Sequence, residues 1–583
     1  MSARRMASTV APRLNVPQTQ PADPRQRRNN DGRGYAFVLD GWKRLERFLI
    51  LGLDGGTFYV EAKALTTENA GVVARCAAAD PARTATMIRD VSVGGRAPRQ
   101  SPAIFALAML AAGGPRAAAH AYNVMPSVLR TGSHRLEFVA AVAELRGFGA
   151  GMRRALARTC FDGDAGQVAF QVTKYASRSG WSWRDVLRVV RPAPASPAHD
   201  ALFRAVVTDA DLLDLGGADA FGRRVVERML PSGQKATPYD AVDPALLPAV
   251  YHAAWRARRS KDPAEVARLV AEHRLTHEMV SNDVKDSPIV WEALAAHMPP
   301  EALLRNLGKL SAVGVLAPGS ALAKDMPRRL AGERLQAARV HPYRVLVARL
   351  AYERGKGVLG SLEWQPVPSV VAALDDAFYT AFPAVVPTKK RIHVAVDVSG
   401  SMRGHDFRTG WGGCADVFDG TRDKDGNPAG FVRPIDAAIA QAMTFVRTEE
   451  NADVGAFTDG YCRFPLHARM SLKEALSSVP NFDGRLQTDC AVPIVRAMND
   501  RRQVDAFVVI TDNESYAGDV HVHVALDRYR QTTGIPAKLV VVATAATEFS
   551  VADPTDAGSM DVVGFDAAAP AVVADFIRGQ ASA

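Results

Sequence analysis

The sequence is poor in cysteine and contains no long apolar run. Its five cysteines are scattered over 583 residues, without a CxxC pair or a zinc-binding spacing. A disulfide framework is therefore not expected, and a reducing cytoplasm fits this cysteine usage. No apolar segment approaches the roughly 20 residues that a membrane-spanning helix needs. The sequence thus predicts a protein that is not embedded in a membrane.

The chain also lacks the common signatures of catalysis. It has no Walker phosphate loop, and no Gly-x-Ser-x-Gly turn surrounds the serines at residues 399–401. Asp397 follows a predicted strand, as the nucleophile of some phosphatases does, but those enzymes need a second aspartate where this chain has Ser399. His273 and His277 are four residues apart, but their surroundings do not match the HExxH order of a metalloprotease. The sequence therefore predicts a protein that is not an enzyme.

Basic residues outnumber acidic ones. There are 71 Lys and Arg against 62 Asp and Glu, a formal net charge of +9. This balance favours an anionic partner, with nucleic acid first and an anionic membrane surface second. Residues 1–30 are rich in Arg and Pro and lack the apolar core of a secretory signal. They are interpreted as a disordered basic tail, with an organelle transit peptide as the alternative.

Helical periodicity dominates residues 40–375. Apolar side chains recur every three or four positions, and short Gly and Pro breaks separate the segments. In one such segment Asp262 can cap the helix, Pro263 suits its first turn and Glu265 has the capping-box position. Many helices of this length predict an α-solenoid, with a single large helical bundle as the alternative.

The pattern changes near residue 389 to short β-branched runs that alternate with helices. This form is typical of a doubly wound parallel sheet, joined to the helical part by a linker at residues 382–388. Strands are predicted at residues 391–396, 452–457, 505–511, 537–544 and 561–565. Helices are predicted between them at residues 434–448, 471–479, 489–499 and 520–533.

Oxygen-bearing side chains follow several of these strands. Asp397, Ser399 and Ser401 come directly after the first strand, Thr488 lies in a later loop, and Asp512 ends the strand at 505–511. The carboxyl ends of parallel strands share one edge of a sheet, where open α/β folds bind their ligands. Carboxylates and hydroxyls suit Mg²⁺, or Mn²⁺, better than zinc. The sequence predicts a divalent cation site here; the alternative is that the hydroxyls only cap helices.

A basic segment at residues 174–191 is the most informative part of the helical region. Ser182 and Asp185 form a capping pair for a short helix that Pro192 closes. Helical spacing places Arg184, Arg188 and Arg191 on one stripe, with Lys174 and Arg178 before it and Trp181 and Trp183 interleaved. Arginine matches phosphate and aromatic rings stack on unpaired bases, so the segment is a candidate RNA surface. A solvated basic face with both tryptophans in the core is the alternative.

An ordered series of short motifs runs through nearly the whole chain. These are WKRLERFL at 42–49, GGTFY at 55–59, VTKY at 172–175, GWS at 180–182, LLRNLGK at 303–309, HPY at 341–343 and TDNE at 511–514. The series resembles the Ro 60 kDa family, and the chain is identified as a bacterial member of it. The oxygen constellation resembles the metal-ion-dependent adhesion site (MIDAS) of von Willebrand factor A domains. The resemblance implies a TROVE domain over 31–380, a ring of HEAT-like repeats, closed by a von Willebrand A domain over 389–583.

The resemblance also implies a function in RNA quality control or decay. The outer surface would bind a small noncoding Y-type RNA at Lys174, Arg178 and Arg191, and a central hole would accept single-stranded 3′ ends of misfolded RNAs at Arg305 and Lys309. An exoribonuclease or an RNA-repair protein is the implied protein partner, and the cytoplasm the implied compartment. A cation-dependent protein-assembly scaffold that binds no RNA remains the alternative.

Two features depart from the family pattern. A Gly- and Asp-rich stretch at residues 403–433 looks like an insertion beside the predicted cation site. Arg485 precedes Thr488 where the family has a glycine-rich run. The first feature would reshape the partner surface of the cation, and the second would add a positive charge next to it.

Overall fold

The structure is a computed structural model. It describes residues 15–29, 32–52, 70–208, 244–357, 361–383, 385–403, 434–482, 484, 487–544, 547–564 and 566–579. The predicted insertion, apart from its first residue, and Arg485 lie outside the described residues.

Helices make up the first two thirds of the described chain. Its N-terminal half contains α1 (Gly41–Leu51), α2 (Gly71–Ala79), α3 (Pro81–Val93), α4 (Ser101–Ala112), α5 (Pro115–Val128), α6 (Gly132–Leu145), α7 (Ala150–Phe161), α8 (Ala165–Lys174), α9 (Trp183–Val190) and α10 (Pro197–Thr208). The hairpin β3 (Ser177–Arg178) and β4 (Trp181–Ser182) separates α8 from α9. The C-terminal half contains α11 (Ala249–Arg259), α12 (Pro263–His273), α13 (Pro288–His297), α14 (Pro300–Ala312), α15 (Ala321–Arg329), α16 (Gly332–Ala337), α17 (Pro342–Arg354) and α18 (Pro368–Thr380). We call α1 to α18 the helical body.

The helices of the N-terminal half stack in two layers. Helices α3, α5, α7 and α9 pack side by side in one layer, and α4, α6, α8 and α10 pack in the other. Contact between every second helix is the arrangement of an α-solenoid, so the solenoid prediction is correct and the single bundle is not. Helix α11 packs against α8 and joins the two halves of the body.

Local sequence explains where these helices begin. The carboxylate of Asp262 accepts a hydrogen bond from the Ala264 amide and caps α12, with Pro263 at its first position, as predicted. Glu265 has another role, because its carboxylate accepts hydrogen bonds from Ser260 Oγ and from Arg256. No helix within the described ranges is both long and apolar enough to cross a membrane.

The second domain is a doubly wound α/β domain. Its strands are β5 (Ile392–Asp397), β6 (Ala452–Phe457), β7 (Tyr461–Arg463), β8 (Ala506–Thr511), β9 (Lys538–Ala543) and β11 (Ser559–Val563), in the sheet order β11-β9-β8-β5-β6-β7. Its helices are α19 (Pro434–Thr448), α20 (Leu472–Ser477), α21 (Val492–Asn499), α22 (Val522–Thr533) and α23 (Ala569–Arg578). All strands of this sheet pair in parallel except β7, which pairs antiparallel with β6 at the edge.

Both faces of this sheet are covered. Ile439 of α19 and Val573 of α23 pack with the side chains of one face, and Ile494 of α21 and Leu526 of α22 pack with those of the other. Burial on both faces explains why the central strands are continuous apolar runs such as residues 506–511. The predicted fold class is therefore correct.

The prediction of a disordered tail is wrong for residues 15–29. Strand β1 (Gln26–Arg28) pairs with β2 (Tyr35–Val38), and β2 pairs with β10 (Phe549–Ser550) of the α/β domain. Gln18 is buried, and its backbone N–H donates to the carbonyl oxygen of Gly518. This segment is ordered by partners that lie about 500 residues later in the chain. Its composition alone does not reveal these partners. Residues 1–14 lie outside the described part of the chain.

Helix α1 and the loop before α4 connect the helical body to the α/β domain. The guanidinium of Arg47 is buried and donates two hydrogen bonds to the carboxylate of Asp561, at 2.7 and 2.9 Å. Arg96 pairs with Asp566 through its side chain, while its carbonyl oxygen lies 3.0 Å from the His341 ring before α17. The two ends of the helical body and the α/β domain therefore meet at Arg96.

Candidate nucleic-acid interface and cation site

The basic segment folds as the capping signal predicts. Ser182 Oγ accepts a hydrogen bond from the Asp185 amide, and the Asp185 carboxylate accepts one from the Ser182 amide at 3.0 Å. This capping box starts α9 and lowers the pKa of Asp185, because the hydrogen bonds favour its charged form. Val186 and Leu187 are buried, so α9 is anchored by its apolar face.

The arginines of α9 point outward. Arg184 and Arg188 are exposed on the opposite side of the helix from Val186 and Val190. Arg191 is also exposed, but it is not on the helix: α9 ends at Val190, and Arg191 follows it in the left-handed conformation with φ 49°. A residue before proline is disfavoured in the helical region, so Pro192 accounts for the difference. Its side-chain Nε donates to the carbonyl oxygen of Arg188.

The two tryptophans differ in their environment. Trp183 is 1% exposed, and its indole N–H donates to the carbonyl oxygen of Tyr175, so it belongs to the core. Trp181 is half-buried and packs edge-to-face on Phe148, with 5.5 Å between the ring centres. Of the two, only Trp181 retains accessible ring surface for contact with a base.

A cavity of about 1120 Å³ lies between the two halves of the helical body. We call it the body cavity. Its lining includes Arg135 of α6, Lys174 of α8, and His273 and His277 from the segment that follows α11. Lys174 is half-buried, with its ammonium group 5.1 Å from the centre of the Tyr175 ring, whereas Arg178 is exposed on the hairpin. The structure therefore separates two residues that the sequence analysis assigns to one surface.

Positive charge converges on His277 at this cavity. Burial lowers the pKa of His277, and the charges of Arg305 and Lys174 lower it further, while Glu278 opposes them. Its ring stacks on Trp291 with 6.3 Å between centres. His273 ends α12 and His277 lies in a separate 3-10 turn, so the two do not share a helix face.

Lys309 and Arg305 are both on α14, but their environments differ. Arg305 is exposed and acts electrostatically on His277 at the cavity. Lys309 forms an ion pair with Asp286, whose side chain is 91% exposed. An anion that binds Lys309 has to compete with this carboxylate. Neither Arg305 nor Lys309 is among the residues that line the body cavity.

Four of the predicted cation ligands, Asp397, Ser399, Ser401 and Asp512, lie at the carboxyl edge of the sheet. Asp397 ends β5, and Asp512 directly follows the neighbouring parallel strand β8. One carboxylate oxygen of Asp397 accepts a hydrogen bond from the Ser399 amide at 2.9 Å, and the other accepts one from Thr511 Oγ1 at 2.7 Å. Burial raises the pKa of Asp397 to about 7, and the negative charge of Asp512 contributes. A cation between the two carboxylates would remove this repulsion.

The spacing of the hydroxyls also fits a small cation. Ser399 Oγ and Ser401 Oγ are 3.0 Å apart. Adjacent ligands of an octahedral Mg²⁺, each at about 2.1 Å, are separated by about 3.0 Å. Within the described residues no group of three or more His, Cys, Asp or Glu side chains is suited to a metal ion. The candidate site therefore depends on hydroxyls beside two carboxylates, a donor set for a hard cation.

A buried glutamine next to this site has a role that the sequence does not predict. The amide of Gln18 donates to Asp489 Oδ1 at 2.7 Å and to the Val520 carbonyl oxygen at 2.8 Å. Its carbonyl oxygen accepts a hydrogen bond from Ser515 Oγ. Gln18 thus joins the loop that carries Thr488 to the loop that follows Asp512. No local pattern indicates this role, because all these partners are distant in sequence.

Comparison with known proteins places both domains in one family. The TROVE domain model matches residues 28–211 and 267–390, more than half of the chain, and the Ro60 vWA domain model matches residues 424–577. The chain is 38% identical to a Deinococcus radiodurans protein named RNA-binding protein RO60, over 97% of this chain and 98% of that protein. A Caenorhabditis elegans protein of the same name is 27% identical, over 95% of this chain and 90% of that protein.

A solved structure agrees with the sequence matches. The crystal structure of the Deinococcus radiodurans RO (RSR) protein has a TM-score of 0.65 to this chain at 36% sequence identity. The match covers 93% of this chain and all of the other one. With its helical solenoid and following α/β domain, this chain belongs to the Ro60 family of TROVE-domain proteins.

Proposed function

We propose that the protein binds RNA through the outer face of its helical body and acts in RNA quality control or decay. The observation that carries the proposal is the anchored helix α9, whose buried apolar face fixes Arg184 and Arg188 toward solvent. The relatives named as RNA-binding proteins support the same assignment. Guanidinium groups held on a rigid helix lose little entropy on contact with phosphate.

The ligand of this outer surface is a small, structured Y-type RNA. Arg178, Arg184, Arg188 and Arg191 are all exposed, and two to four phosphate contacts suffice for strong salt dependence. Trp181, accessible at the end of the hairpin, supplies a surface for stacking on an unpaired base.

The body cavity takes a single-stranded RNA end. Its volume of about 1120 Å³ exceeds the roughly 300–1,000 Å³ of small-molecule pockets, which favours a polymer segment. Arg135 and Lys174 in its lining provide positive charge for phosphate, and the ring of His277 provides an aromatic surface. The single-stranded 3′ end of a misfolded RNA meets these requirements.

The α/β domain holds Mg²⁺, or Mn²⁺, and uses it to capture a protein partner. Asp397, Ser399, Ser401, Thr488 and Asp512 are the proposed ligands. Two carboxylates balance the charge of the ion and leave it able to accept one further anionic oxygen. An acidic side chain of an exoribonuclease or RNA-repair protein in the cytoplasm would provide that oxygen.

The alternative is a cation-dependent assembly scaffold that binds no RNA. It explains the oxygen ligands equally well, but it gives no reason for the exposed arginines of α9 or for the positive charge at the body cavity. These two features favour RNA.

Crosslinking and sequencing of RNA bound in the protein's own cells tests the proposal. Wild type is compared with Arg178→Ala/Arg184→Ala/Arg188→Ala and with the control Arg328→Ala/Arg496→Ala/Arg501→Ala, which removes three exposed charges elsewhere. The proposal expects one small structured RNA with wild type and control, and its loss with the first variant. Recovery of no RNA above background from wild type supports the scaffold instead.

A further inference from the structure

Helix α7 exposes three arginines and contains no acidic residue. Arg153, Arg154 and Arg158 share its solvent face with Ala150 and Ala157. The side chain of Arg158 donates to the carbonyl oxygen of Tyr122, whereas the side chains of Arg153 and Arg154 form no hydrogen bond or ion pair with any described residue. Exposed guanidinium groups without an internal partner can contact the phosphates of an anionic ligand.

Helix α7 belongs to the same layer of the solenoid as α9. Two aromatic pairs fix it there: Phe148 before α7 packs on Trp181, and Phe161 at its end packs on Trp183, with 5.8 Å between the latter ring centres. Helices α6 and α8 of the other layer line the body cavity, and α7 contributes Cys160 to it but none of its three arginines. The arginines of α7 therefore extend the surface of α9 and are separate from the cavity.

The acidic residues next to α7 do not neutralise it. Asp164 follows the helix and caps α8 by accepting hydrogen bonds from the Gly166 and Gln167 amides. Asp162 and Asp164 both line the body cavity, whereas the arginines of α7 do not. The solvent face of α7 thus remains positively charged.

We infer that α7 forms a second part of the RNA surface, which contacts the phosphate backbone of a duplex region through Arg153 and Arg154. The inference rests on the proposed RNA binding at α9 and adds the class of contact. Phosphate contacts position an RNA without reading its sequence, and base-paired RNA presents mainly its backbone and 2′-hydroxyls to proteins.

An anionic membrane is a less suitable ligand for this surface. Membrane-surface helices combine basic residues with exposed large apolar side chains that enter the lipid. The exposed large apolar residues of the described chain are Val38, Leu246, Ile289, Leu362, Val386 and Val572, and none lies on α7, on α9 or on the hairpin. The face between the arginines of α7 contains only alanine.

The test measures binding of a 20-base-pair hairpin RNA to the full-length protein between 50 and 200 mM salt. Arg153→Gln/Arg154→Gln is compared with wild type, with the α9 variant Arg184→Gln/Arg188→Gln, and with the control Arg496→Gln/Arg501→Gln in the α/β domain. Loss of two phosphate contacts is expected to reduce the slope of log K against log salt by about 2 and to weaken binding roughly tenfold at 100 mM salt. The loss should be equal for hairpins of different sequence.

Each outcome decides a different claim. Weaker binding by both the α7 and α9 variants, with an unchanged control, supports the inference. An unchanged slope for the α7 variant while the α9 variant loses affinity overturns the inference and leaves the proposed function intact. Failure of wild type to bind the hairpin, or binding that neither variant weakens, overturns both. Binding of α7 to vesicles with 30% anionic lipid but not to RNA would assign the surface to a membrane.

Discussion

Replacing Arg47 with methionine is expected to weaken the junction between helix α1 and the α/β domain by about 3–5 kcal/mol. Arg47 is 2% exposed, and its guanidinium donates to both carboxylate oxygens of Asp561 and to the carbonyl oxygens of Thr547 and Phe549. In the Arg47→Met variant, the carboxylate of Asp561 still accepts a hydrogen bond from the hydroxyl of Ser550 but loses its cationic partner. The magnitude therefore comes mainly from an uncompensated buried charge.

Urea unfolding of the full chain, followed by tryptophan fluorescence and by far-UV circular dichroism, measures this effect. The double variant Arg47→Met/Asp561→Leu should regain most of the lost stability, because it removes both charges. Arg496→Met is the matched control: it breaks the exposed pair with Asp500 and should cost at most about 1 kcal/mol. If the free energy of unfolding of the single variant Arg47→Met lies within about 1 kcal/mol of the wild-type value, Arg47 does not stabilise this junction as proposed.

Three further predictions concern other buried groups. Gln18→Leu removes the hydrogen bond to Asp489 and should lower the free energy of unfolding by about 1–3 kcal/mol. Calorimetry should also show weaker Mg²⁺ binding. Unchanged stability and unchanged Mg²⁺ affinity would contradict this role of Gln18. Burial lowers the pKa of His134 and His523 to about 4. Because both histidines take up a proton more readily in the unfolded chain, the free energy of unfolding should fall between pH 6.5 and pH 4, by about 1 kcal/mol per pH unit for each histidine. Urea unfolding at pH 7 and pH 5 should show a smaller decrease in this free energy for His523→Gln than for wild type. Mg²⁺ at 100 times its Kd should stabilise wild type by about 2.7 kcal/mol, and Asp512→Asn should abolish the shift in melting temperature; an equal shift in both would place the ion elsewhere.

Much of the α/β domain could be predicted from the sequence. Helix α19 begins and ends at the predicted residues, and strand β6 matches its predicted range. Strands buried on both faces are short apolar runs between turns, and proline at the start of α19 marks its first turn. The cation ligands follow the same logic, because the carboxyl ends of β5 and β8 come to the same edge of the sheet.

Elements that depend on distant partners could not be predicted. Strands β1, β2 and β10 have two to four residues each, and they form one sheet because the N-terminal segment packs against the α/β domain. Their sequences contain no alternation long enough to indicate strands. For the same reason Gln18 has no local signal: its partners are contributed by loops about 470 to 500 residues later.

At α9 the periodicity predicts the exposed face but not the end of the helix. Arg184 and Arg188 have the expected exposure, whereas Arg191 lies beyond the last turn. Spacing on an ideal helix also groups Lys174 with Arg178, although the chain turns into a hairpin between them. Lys174 therefore lines the body cavity. This position could not be predicted locally, because the cavity forms only where the second half of the solenoid faces the first.

RNA binding by the outer arginines can be measured as the affinity of the purified full-length protein for a small hairpin RNA. Fluorescence anisotropy at 100 mM salt compares wild type with Arg184→Gln/Arg188→Gln/Arg191→Gln and with a charge-matched control in the α/β domain. We expect tight binding by wild type and control, and an affinity at least tenfold lower for the α9 variant. Equal affinity in all three proteins would contradict it.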